Sequence, residues 1–316
     1  MAAPTCLVVD SMHESLFPML AEIGWDIDYQ PAITRDEINL KLKQGGYDGL
    51  IVRSKTTIDR DLLGENPSIR FIGRAGAGID NLDVDYLTEK GIHILHASEG
   101  NRDAVGEYTV GALLALMRNI PRADQQVRNK VWDREGNRGE EIMGKTVGII
   151  GYGNMGQAFA RRLAGFGCNV LAYDKYKTGF SDAVCQEVTE QAIVDEADIL
   201  SLHIPLTRET KGLVSRAYID RFKKKIILVN AARGEIVSLT DLVTSLETGK
   251  VRGAVLDVLE NEKLSTLTPT QQQAFDTLIG KTNVIFTPHI AGWTYESHVK
   301  INVALVQKIA ALKLAH

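Results

Sequence analysis

The segment Lys145–Asp174 reads KTVGIIGYGNMGQAFARRLAGFGCNVLAYD and decides the fold of this chain. An apolar run at its start is typical of a strand that is buried on both faces. Gly151, Gly153 and Gly156 follow with G-x-G-x-x-G spacing, and then come a helical pattern and a second apolar run. The order strand, glycine turn, helix, strand predicts the core of a dinucleotide-binding domain.

Each glycine of this pattern has a physical purpose. Gly151 permits a tight turn, Gly153 lets the backbone approach a pyrophosphate, and Gly156 lets the helix pack closely on the strand. The N–H groups and the dipole at the helix start then favour a diphosphate. The alternative is a glycine-rich turn in some other α/β domain.

Asp174 predicts which dinucleotide binds. It ends the second apolar run, 18 residues after Gly156, where an acid binds a ribose 2′-hydroxyl. A carboxylate there would repel a 2′-phosphate, so NAD is favoured over NADP, although Lys175 and Lys177 weaken that preference.

Composition excludes several classes of protein. The chain of 316 residues suggests two domains, and a formal net charge of −4 gives no reason to expect nucleic acid as a partner. The apolar runs are too short to span a membrane, and the N-terminus has no basic region, so we expect neither membrane insertion nor a signal peptide. Cys6, Cys168 and Cys185 match no metal or disulfide spacing, which favours no metal and a reducing, cytoplasmic setting.

Strands alternate with helices along the whole chain, which predicts mostly parallel sheets. In the first part we expect strands at Cys6–Asp10, Trp25–Tyr29, Gly49–Arg53, Ser68–Gly73 and Ile92–His96. After Asp174 we expect them at 197–203, Ile226–Asn230, 253–258 and 283–287.

Helical spacing and capping residues predict helices in several segments. We expect helices at Ser15–Ile23, Thr34–Lys43 with a capping box from Thr34 to Glu37, Asn101–Ile120, Arg122–Trp132, Glu190–Glu196, Leu213–Phe222 and Leu239–Thr248, and a final one within 290–314. The helix at Asn101–Ile120 is apolar around most of its circumference and should be buried, either as a core helix or at a subunit interface.

Two loops in the first part follow predicted strands. Arg53-Ser54 follows one, and Arg74-Ala75-Gly76-Ala77-Gly78 follows the next. Small residues beside an arginine can present backbone N–H groups to an anion. An ordinary turn with a solvated arginine is the equal alternative.

Three further segments follow strands of the dinucleotide unit. They are Asn230–Gly234, Asp257–Glu262 and Thr287–Gly292. Because carboxyl ends of parallel strands meet at one edge of a sheet, all three should lie on the side where the dinucleotide binds.

Arg233, Glu262 and His289 in these segments fit one chemistry. An arginine holds a carboxylate bidentately, a histidine exchanges a proton with a carbonyl oxygen, and a carboxylate orients that histidine. Together they predict reduction of a 2-oxo acid or oxidation of a 2-hydroxy acid. Taken singly, each has a plainer reading: a solvated arginine, a member of a charged run, and a histidine that caps a carbonyl.

The chain resembles the D-2-hydroxyacid dehydrogenase family from about residue 49 onward. The matching segments are VRSKTTID, GRAGAGIDNLD, GYGNMG, LHIPLTRETKGL, NAARGEIV, LDVLENE and TPHIAG. Within the family, VRS, GRAGAGIDN and GKTVGIIGYGNMG together are most similar to phosphoglycerate dehydrogenases. The resemblance implies NAD as cofactor, 3-phosphoglycerate as substrate and a role in serine biosynthesis. Because the sequence ends at His316, we expect a short form without a regulatory domain.

The resemblance also implies roles for individual residues. Arg233, Glu262 and His289 would be catalytic, and Gly151, Gly153, Asn154, Met155, Gly156, Asp174, Ile204, Ala231, Asp257 and Ala77 would bind the cofactor. Arg53, Ser54, Arg74, Gly76 and Asn101 would bind the substrate, and Arg134 would reach a neighbouring subunit's site.

The family architecture is α/β, with two Rossmann-like or flavodoxin-like domains, parallel sheets and an interdomain cleft. It implies a substrate domain of residues 1–98 plus 290–316, an NAD-binding domain of residues 99–289, and a homodimer joined through the helix after Asn101. Lys263 stands where proline is common, and Gly292-Trp293 replaces small residues, so the substrate pocket is expected to be reshaped.

Three alternatives remain open at this stage. The same chemistry could act on glyoxylate or hydroxypyruvate, or on a D-lactate-like acid. From another class, an NAD-sensing, corepressor-like interaction protein could share the fold.

Overall fold

The computed structural model describes residues 3–65 and 67–312, and these form two compact units. The first lies within Met1–Arg102 and Trp293–His316, and the second is Asp103–Gly292. The divisions expected from the sequence, after residues 98 and 289, stay a prediction.

The first unit contains a parallel sheet of five strands. They are β1 (Thr5–Val8), β2 (Asp26–Tyr29), β3 (Gly49–Val52), β4 (Phe71–Arg74) and β5 (His93–His96). Their order is β2-β1-β3-β4-β5, so the direction of winding reverses between β1 and β3. Ligands of doubly wound sheets bind beyond the carboxyl ends of strands at such a reversal.

The second unit contains a parallel sheet of seven strands. They are β6 (Thr146–Ile150), β7 (Asn169–Tyr173), β8 (Gln186–Glu187), β9 (Ile199–Leu202), β10 (Ile226–Asn230), β11 (Val251–Leu256) and β12 (Val284–Phe286). Their order is β12-β11-β10-β9-β6-β7-β8, and the reversal falls between β6 and β9. This is the winding of a dinucleotide-binding domain with one further strand at the β12 edge.

Twelve α-helices connect these strands in the described residues. They are α1 (Leu16–Glu22), α2 (Arg35–Gln44), α3 (Arg60–Leu63), α4 (Val84–Glu89), α5 (Ser98–Met117), α6 (Ile120–Arg128), α7 (Asn154–Leu163), α8 (Glu190–Glu196), α9 (Arg216–Asp220), α10 (Leu239–Glu247), α11 (Pro269–Ile279) and α12 (Tyr295–Ala311). The α/β prediction is confirmed, and so is the capping box at Thr34 and Glu37. The sequence analysis did not predict α3, α4, α11 or β8. Lys313 and Leu314, within the segment expected to hold the last helix, lie outside the described residues.

Two predicted helices were too long, for local reasons. The helix predicted at Leu213–Phe222 spans only Arg216–Asp220, because Ser215 caps it and Val214 forms a parallel bridge with Val237. The helix predicted to reach Trp132 ends at Arg128, since Lys130 has a φ of 61°, which no α-helix accommodates.

The last helix packs against the first sheet. Ile301, Leu305 and Ile309 of α12 are buried among side chains of β1 and α1. Gly100 of α5 lies so close that a Cβ atom there would be 2.5 Å from the Cα atom of Ile301. The start of α5, where the chain leaves the first unit, is therefore packed closely on the backbone of α12, where the chain has returned to it.

Two apolar layers cover the second sheet. Ile193 and Leu242, from α8 and α10, belong to one buried cluster, and Leu113 and Phe159, from α5 and α7, belong to the other. Most of α5 is buried or half-buried, as predicted, and only Glu107 and Gly111 of its residues are exposed.

Gly49 gives a test of packing in the first sheet. A Cβ atom at Gly49 would lie 2.3 Å from ring atoms of Phe71, its register partner on β4. Phe71 is fully buried and meets Trp25 edge-on, so its ring has little room to move. We predict that Gly49→Ala lowers the free energy of unfolding by about 1–3 kcal/mol, as overpacking does.

Urea denaturation measures this change, with Phe71→Leu as the matched background. The alanine should cost less in the Phe71→Leu protein, because the smaller side chain leaves space for the methyl group. Equal costs in both backgrounds would show that the Gly49–Phe71 contact is not the cause.

Candidate functional site

The fingerprint glycines follow β6 and begin α7. Gly151 has a φ of 94°, and a Cβ atom there would lie 2.5 Å from the carbonyl oxygen of His203. At Gly156 a Cβ atom would lie 2.1 Å from the carbonyl oxygen of Gly151. Only glycine fits either place. At Gly153, the N-cap of α7, a Cβ atom would have no atom of the described residues within 4 Å, so space for a ligand remains there.

This cradle fits the diphosphate of a dinucleotide. Asn154 and Met155 are the first two residues of α7, and first-turn N–H groups have no partner within their own helix. The helix dipole adds positive potential at the same point. Ile204 follows β9, on the other side of the reversal in strand order.

Asp174 follows β7 and is held in one orientation. One carboxylate oxygen accepts a hydrogen bond from the backbone N–H of Tyr152 at 2.8 Å. The other accepts from the N–H groups of Tyr176 at 2.9 Å and Lys177 at 3.0 Å. The carboxylate is thus fixed beside the glycine turn, at the strand end where the sequence predicted it.

The three predicted catalytic residues follow neighbouring strands. Arg233 follows β10, Glu262 is in the loop after β11, and His289 is in the loop after β12. His289 Nδ1 lies 2.9 Å from one carboxylate oxygen of Glu262 and 3.1 Å from the other. Both side chains are about half exposed, at 45% and 48%, so the imidazole is oriented by the carboxylate and still reaches solvent.

Asp257 fixes the loop that carries His289. It is 1% exposed, and its carboxylate accepts hydrogen bonds from the Thr287 hydroxyl at 2.6 Å and from the N–H groups of Ile290 and Ala291 at 2.8 Å. Its backbone carbonyl accepts the N–H of His289 at 2.7 Å. The sequence analysis assigned Asp257 to the nicotinamide end of the cofactor. Both carboxylate oxygens of Asp257 accept hydrogen bonds from other residues of the protein. Its role in cofactor binding stays a prediction.

Tyr108 extends this network and was not found from sequence. Its hydroxyl hydrogen-bonds to Thr287 Oγ1, and burial raises its pKa to about 12. It lies within the apolar pattern of α5, and no motif distinguishes it there.

The acids of the segment Asp257–Glu262 have separate partners. Glu260 accepts the N–H of Leu239 at the start of α10, at 3.1 Å, and burial raises the pKa of Glu260. Glu262 faces His289 instead. The position of Glu262, rather than its charge alone, makes it the candidate partner of the histidine.

The loop that carries Arg233 is shaped by Asn230 and Gly234. Asn230 is fully buried, donates to the carbonyl of Arg233 at 2.9 Å and accepts the N–H of Ala232 at 3.1 Å. A Cβ atom at Gly234 would lie 1.9 Å from the carbonyl of Leu259. The Arg233 loop is therefore packed directly on the loop that leads to Glu262. Ala231, predicted to meet the nicotinamide, is also in this turn.

Several of the predicted substrate residues lie at the carboxyl ends of strands in the first sheet. Arg53 and Ser54 follow β3, Arg74 ends the adjacent β4, and the Arg74 guanidinium occupies the place where a Cβ atom of Gly76 would be. Their proximity at neighbouring strand ends agrees with the sequence pattern.

Three other predicted residues have less distinctive surroundings. Ala77 lies in the loop after β4, and Arg134 is exposed in the loop after α6. Asn101 lies in the first turns of α5, and its buried Oδ1 has no hydrogen-bond partner among the described residues.

Residues 3–65 and 67–312 contain neither a cluster of metal-ligating side chains nor a membrane-spanning helix. No group of three or more His, Cys, Asp or Glu side chains there could hold a metal ion. No described helix is both long enough and apolar enough to cross a bilayer.

Comparison with known proteins identifies the family. Residues 110–291 match the family model of the D-isomer-specific 2-hydroxyacid dehydrogenase NAD-binding domain. D-3-phosphoglycerate dehydrogenase of Methanocaldococcus jannaschii is 36% identical over 313 residues, which cover 96% of this chain and 56% of that protein. The chain thus spans little more than half the length of that relative.

Two further relatives match over most of their length. Hydroxypyruvate reductase of Thermotoga maritima is 36% identical over 262 residues, 83% of each chain. The crystal structure of D-lactate dehydrogenase from Aquifex aeolicus, complexed with NAD and lactic acid, has a TM-score of 0.80 at 26% identity, covering 96% of this chain and 94% of that one. The chain therefore belongs to the D-isomer-specific 2-hydroxyacid dehydrogenase family, and residues 110–291 form its NAD-binding domain.

Proposed function

We propose that the protein is an NAD-dependent oxidoreductase that interconverts a D-2-hydroxy acid and its 2-oxo acid. The observation that carries the proposal is the 2.9 Å contact between His289 and Glu262, next to the strand that presents Arg233. The glycine cradle that fits a dinucleotide lies on the same sheet. The complete set of Arg233, Glu262 and His289 favours this function over that of an NAD-sensing interaction protein.

The roles follow from the chemistry of each side chain. Arg233 holds the substrate carboxylate bidentately through the planar fork of its guanidinium. Glu262 holds His289 Nδ1, which leaves Nε2 for the substrate oxygen at C2. NAD held by the glycine cradle and Asp174 would supply hydride for C2 of the oxo acid, or would accept it in the reverse direction. His289 gives a proton to the oxygen in reduction and removes it in oxidation.

We propose 3-phosphoglycerate and 3-phosphohydroxypyruvate as the substrate pair, which would place the protein in serine biosynthesis. The similarity to D-3-phosphoglycerate dehydrogenases supports this choice. Two arginines at adjacent strand ends, Arg53 and Arg74, offer the additional cations that a phosphate requires. The similarity to a hydroxypyruvate reductase keeps an unphosphorylated acid as the alternative.

We propose NAD rather than NADP as the cofactor. The Asp174 carboxylate is fixed by three backbone N–H groups and would oppose a 2′-phosphate. Lys175, which could favour that phosphate, is paired with Glu209 instead.

We also propose a homodimer in a reducing, cytoplasmic setting. Apolar side chains are exposed on α6 and just after it, at Ile120, Val127, Val131 and Trp132. A surface of this kind is typical of a protein interface. Arg134 lies two residues beyond Trp132, where it could reach a partner subunit's substrate. Three free cysteines agree with a reducing compartment.

A panel of 2-oxo acids tests the substrate assignment. NADH oxidation would be followed with phosphohydroxypyruvate, hydroxypyruvate, glyoxylate, pyruvate and 2-oxoglutarate. We expect the highest kcat/KM for phosphohydroxypyruvate, because only that acid combines a 2-oxo carboxylate with a phosphate. A preference for an unphosphorylated acid would refute the proposed substrate and leave the proposed reaction intact. Tight NADH binding without turnover of any acid would refute the proposal that the protein is an enzyme.

Asp174 gives a separate prediction for the cofactor. We expect Asp174→Ala and Asp174→Asn to raise the NADPH-to-NADH ratio of kcat/KM by about 10- to 100-fold, because one fixed like charge is removed. The asparagine variant retains a side-chain acceptor for the N–H groups and controls for distortion of the turn. If the folded asparagine variant discriminates as the original protein does, Asp174 is not at the ribose.

A further inference from the structure

Trp293 covers one face of the Arg53 guanidinium. The distance from Arg53 Cζ to the centre of the Trp293 ring is 4.6 Å, within the range of cation–π attraction. Trp293 immediately precedes Thr294, the N-cap of α12, and remains 57% exposed. Both residues belong to the first unit, and Arg53 follows β3 at the reversal of its strand order.

The stacked arginine makes few hydrogen bonds with the protein. Its side chain donates one, from Nη1 to the carbonyl of Ser11 at 3.3 Å, which is long. The contact between Arg53 and the buried carboxylate of Asp10 is made by the Arg53 backbone N–H. A ring on the face of a guanidinium leaves its in-plane N–H groups available. In the described part of the chain, most of those N–H groups have no protein acceptor.

Two histidines and one buried carboxylate surround this arginine. His298, in the second turn of α12, packs edge-on against Trp293 with ring centres 4.7 Å apart. Burial lowers the pKa of His298, and the charges of Arg53 and His13 lower it further. His298 Nε2 is buried without a hydrogen-bond partner among the described residues. Asp10 is the acid that partly offsets the charge of Arg53.

The loop with His13 is fixed onto the same helix. Asn302, one turn after His298, is 1% exposed and donates to the carbonyl of His13 at 3.1 Å and to Ser15 Oγ at 3.0 Å. His13 Nδ1 lies 3.0 Å from that same hydroxyl. The loop with His13 and the start of α12 are therefore fixed to each other by buried hydrogen bonds near Trp293.

We propose that Trp293 is a specificity-determining positioning residue. By stacking on Arg53 it fixes the guanidinium so that the in-plane N–H edge binds a second anionic group of the substrate, a phosphate monoester or a second carboxylate. This inference rests on the proposed function, because it concerns the substrate of that reaction. It gives a role to Trp293, the residue that was expected from the sequence to reshape the substrate pocket.

The test compares acids with and without the second anionic group. Steady-state kinetics would be measured for the original protein, Trp293→Leu, Trp293→Phe and Tyr295→Leu, with phosphohydroxypyruvate, 2-oxoglutarate and hydroxypyruvate. Tyr295 is the matched control, since it is an aromatic residue of the same helix start, is 93% exposed, and makes no ring contact among the described residues.

We expect Trp293→Leu to lower kcat/KM about tenfold for the preferred acid with a second anionic group, relative to hydroxypyruvate. The loss should appear in KM, and its size is that of one partly desolvated cation–π contact. Trp293→Phe should restore much of this loss because it keeps an aromatic face. Tyr295→Leu should leave the ratio unchanged. Preference for phosphohydroxypyruvate would identify the anion as a phosphate, and preference for 2-oxoglutarate would identify it as a carboxylate.

Three results would overturn the inference. They are an unchanged ratio in Trp293→Leu, an equal loss for all three acids, and an original protein that prefers hydroxypyruvate. The first two leave the proposed substrate intact if the original protein still prefers phosphohydroxypyruvate. A preference for 2-oxoglutarate that Trp293→Leu abolishes would instead refute that substrate and support the role of Trp293.

Discussion

The site depends most on the buried carboxylate of Asp257. An isolated charge in this position would be costly, and three hydrogen bonds from the loop after β12 offset that cost. The same loop also donates the His289 N–H to the backbone carbonyl of Asp257, at 2.7 Å, so it lies over the end of β11. This constraint holds His289 at a φ of 56°, a conformation that non-glycine residues rarely adopt. The strained backbone directs the imidazole towards Glu262. Asp257, which fixes the loop, therefore determines how His289 meets Glu262.

The same principle operates on the neighbouring strand. Asn230 uses its amide to close the turn that presents Arg233, and Gly234 lets that turn rest on the backbone beside Leu259. Arg233 and His289 lie on short loops, and each of these loops is fixed by a buried group at a strand end. Such preorganisation is what proton transfer and carboxylate binding require, because misplacement of about 1 Å can cost about a hundredfold in rate.

The sequence predicted much of this site, because its signals are local. The roles of Gly151 and Gly156 follow from spacing alone, and the structure shows the close approaches that only glycine allows. The convergence of Arg233, Glu262 and His289 follows from the geometry of parallel strands. The partners of Asp257, and the involvement of Tyr108, depend on contacts between residues far apart in the chain, which no local pattern contains. Short helices such as α3 escaped prediction because four residues carry too little periodicity.

Proton transfer by His289 is tested most directly by the effect of His289→Ala on turnover and on NADH affinity in the same preparation. We predict that kcat falls by about 10²- to 10⁴-fold, as loss of a general acid does. The dissociation constant of NADH should change little, since the glycine cradle and Asp174 are untouched. A comparable loss of turnover and NADH affinity, or turnover close to that of the original protein, would contradict a role for His289 in proton transfer.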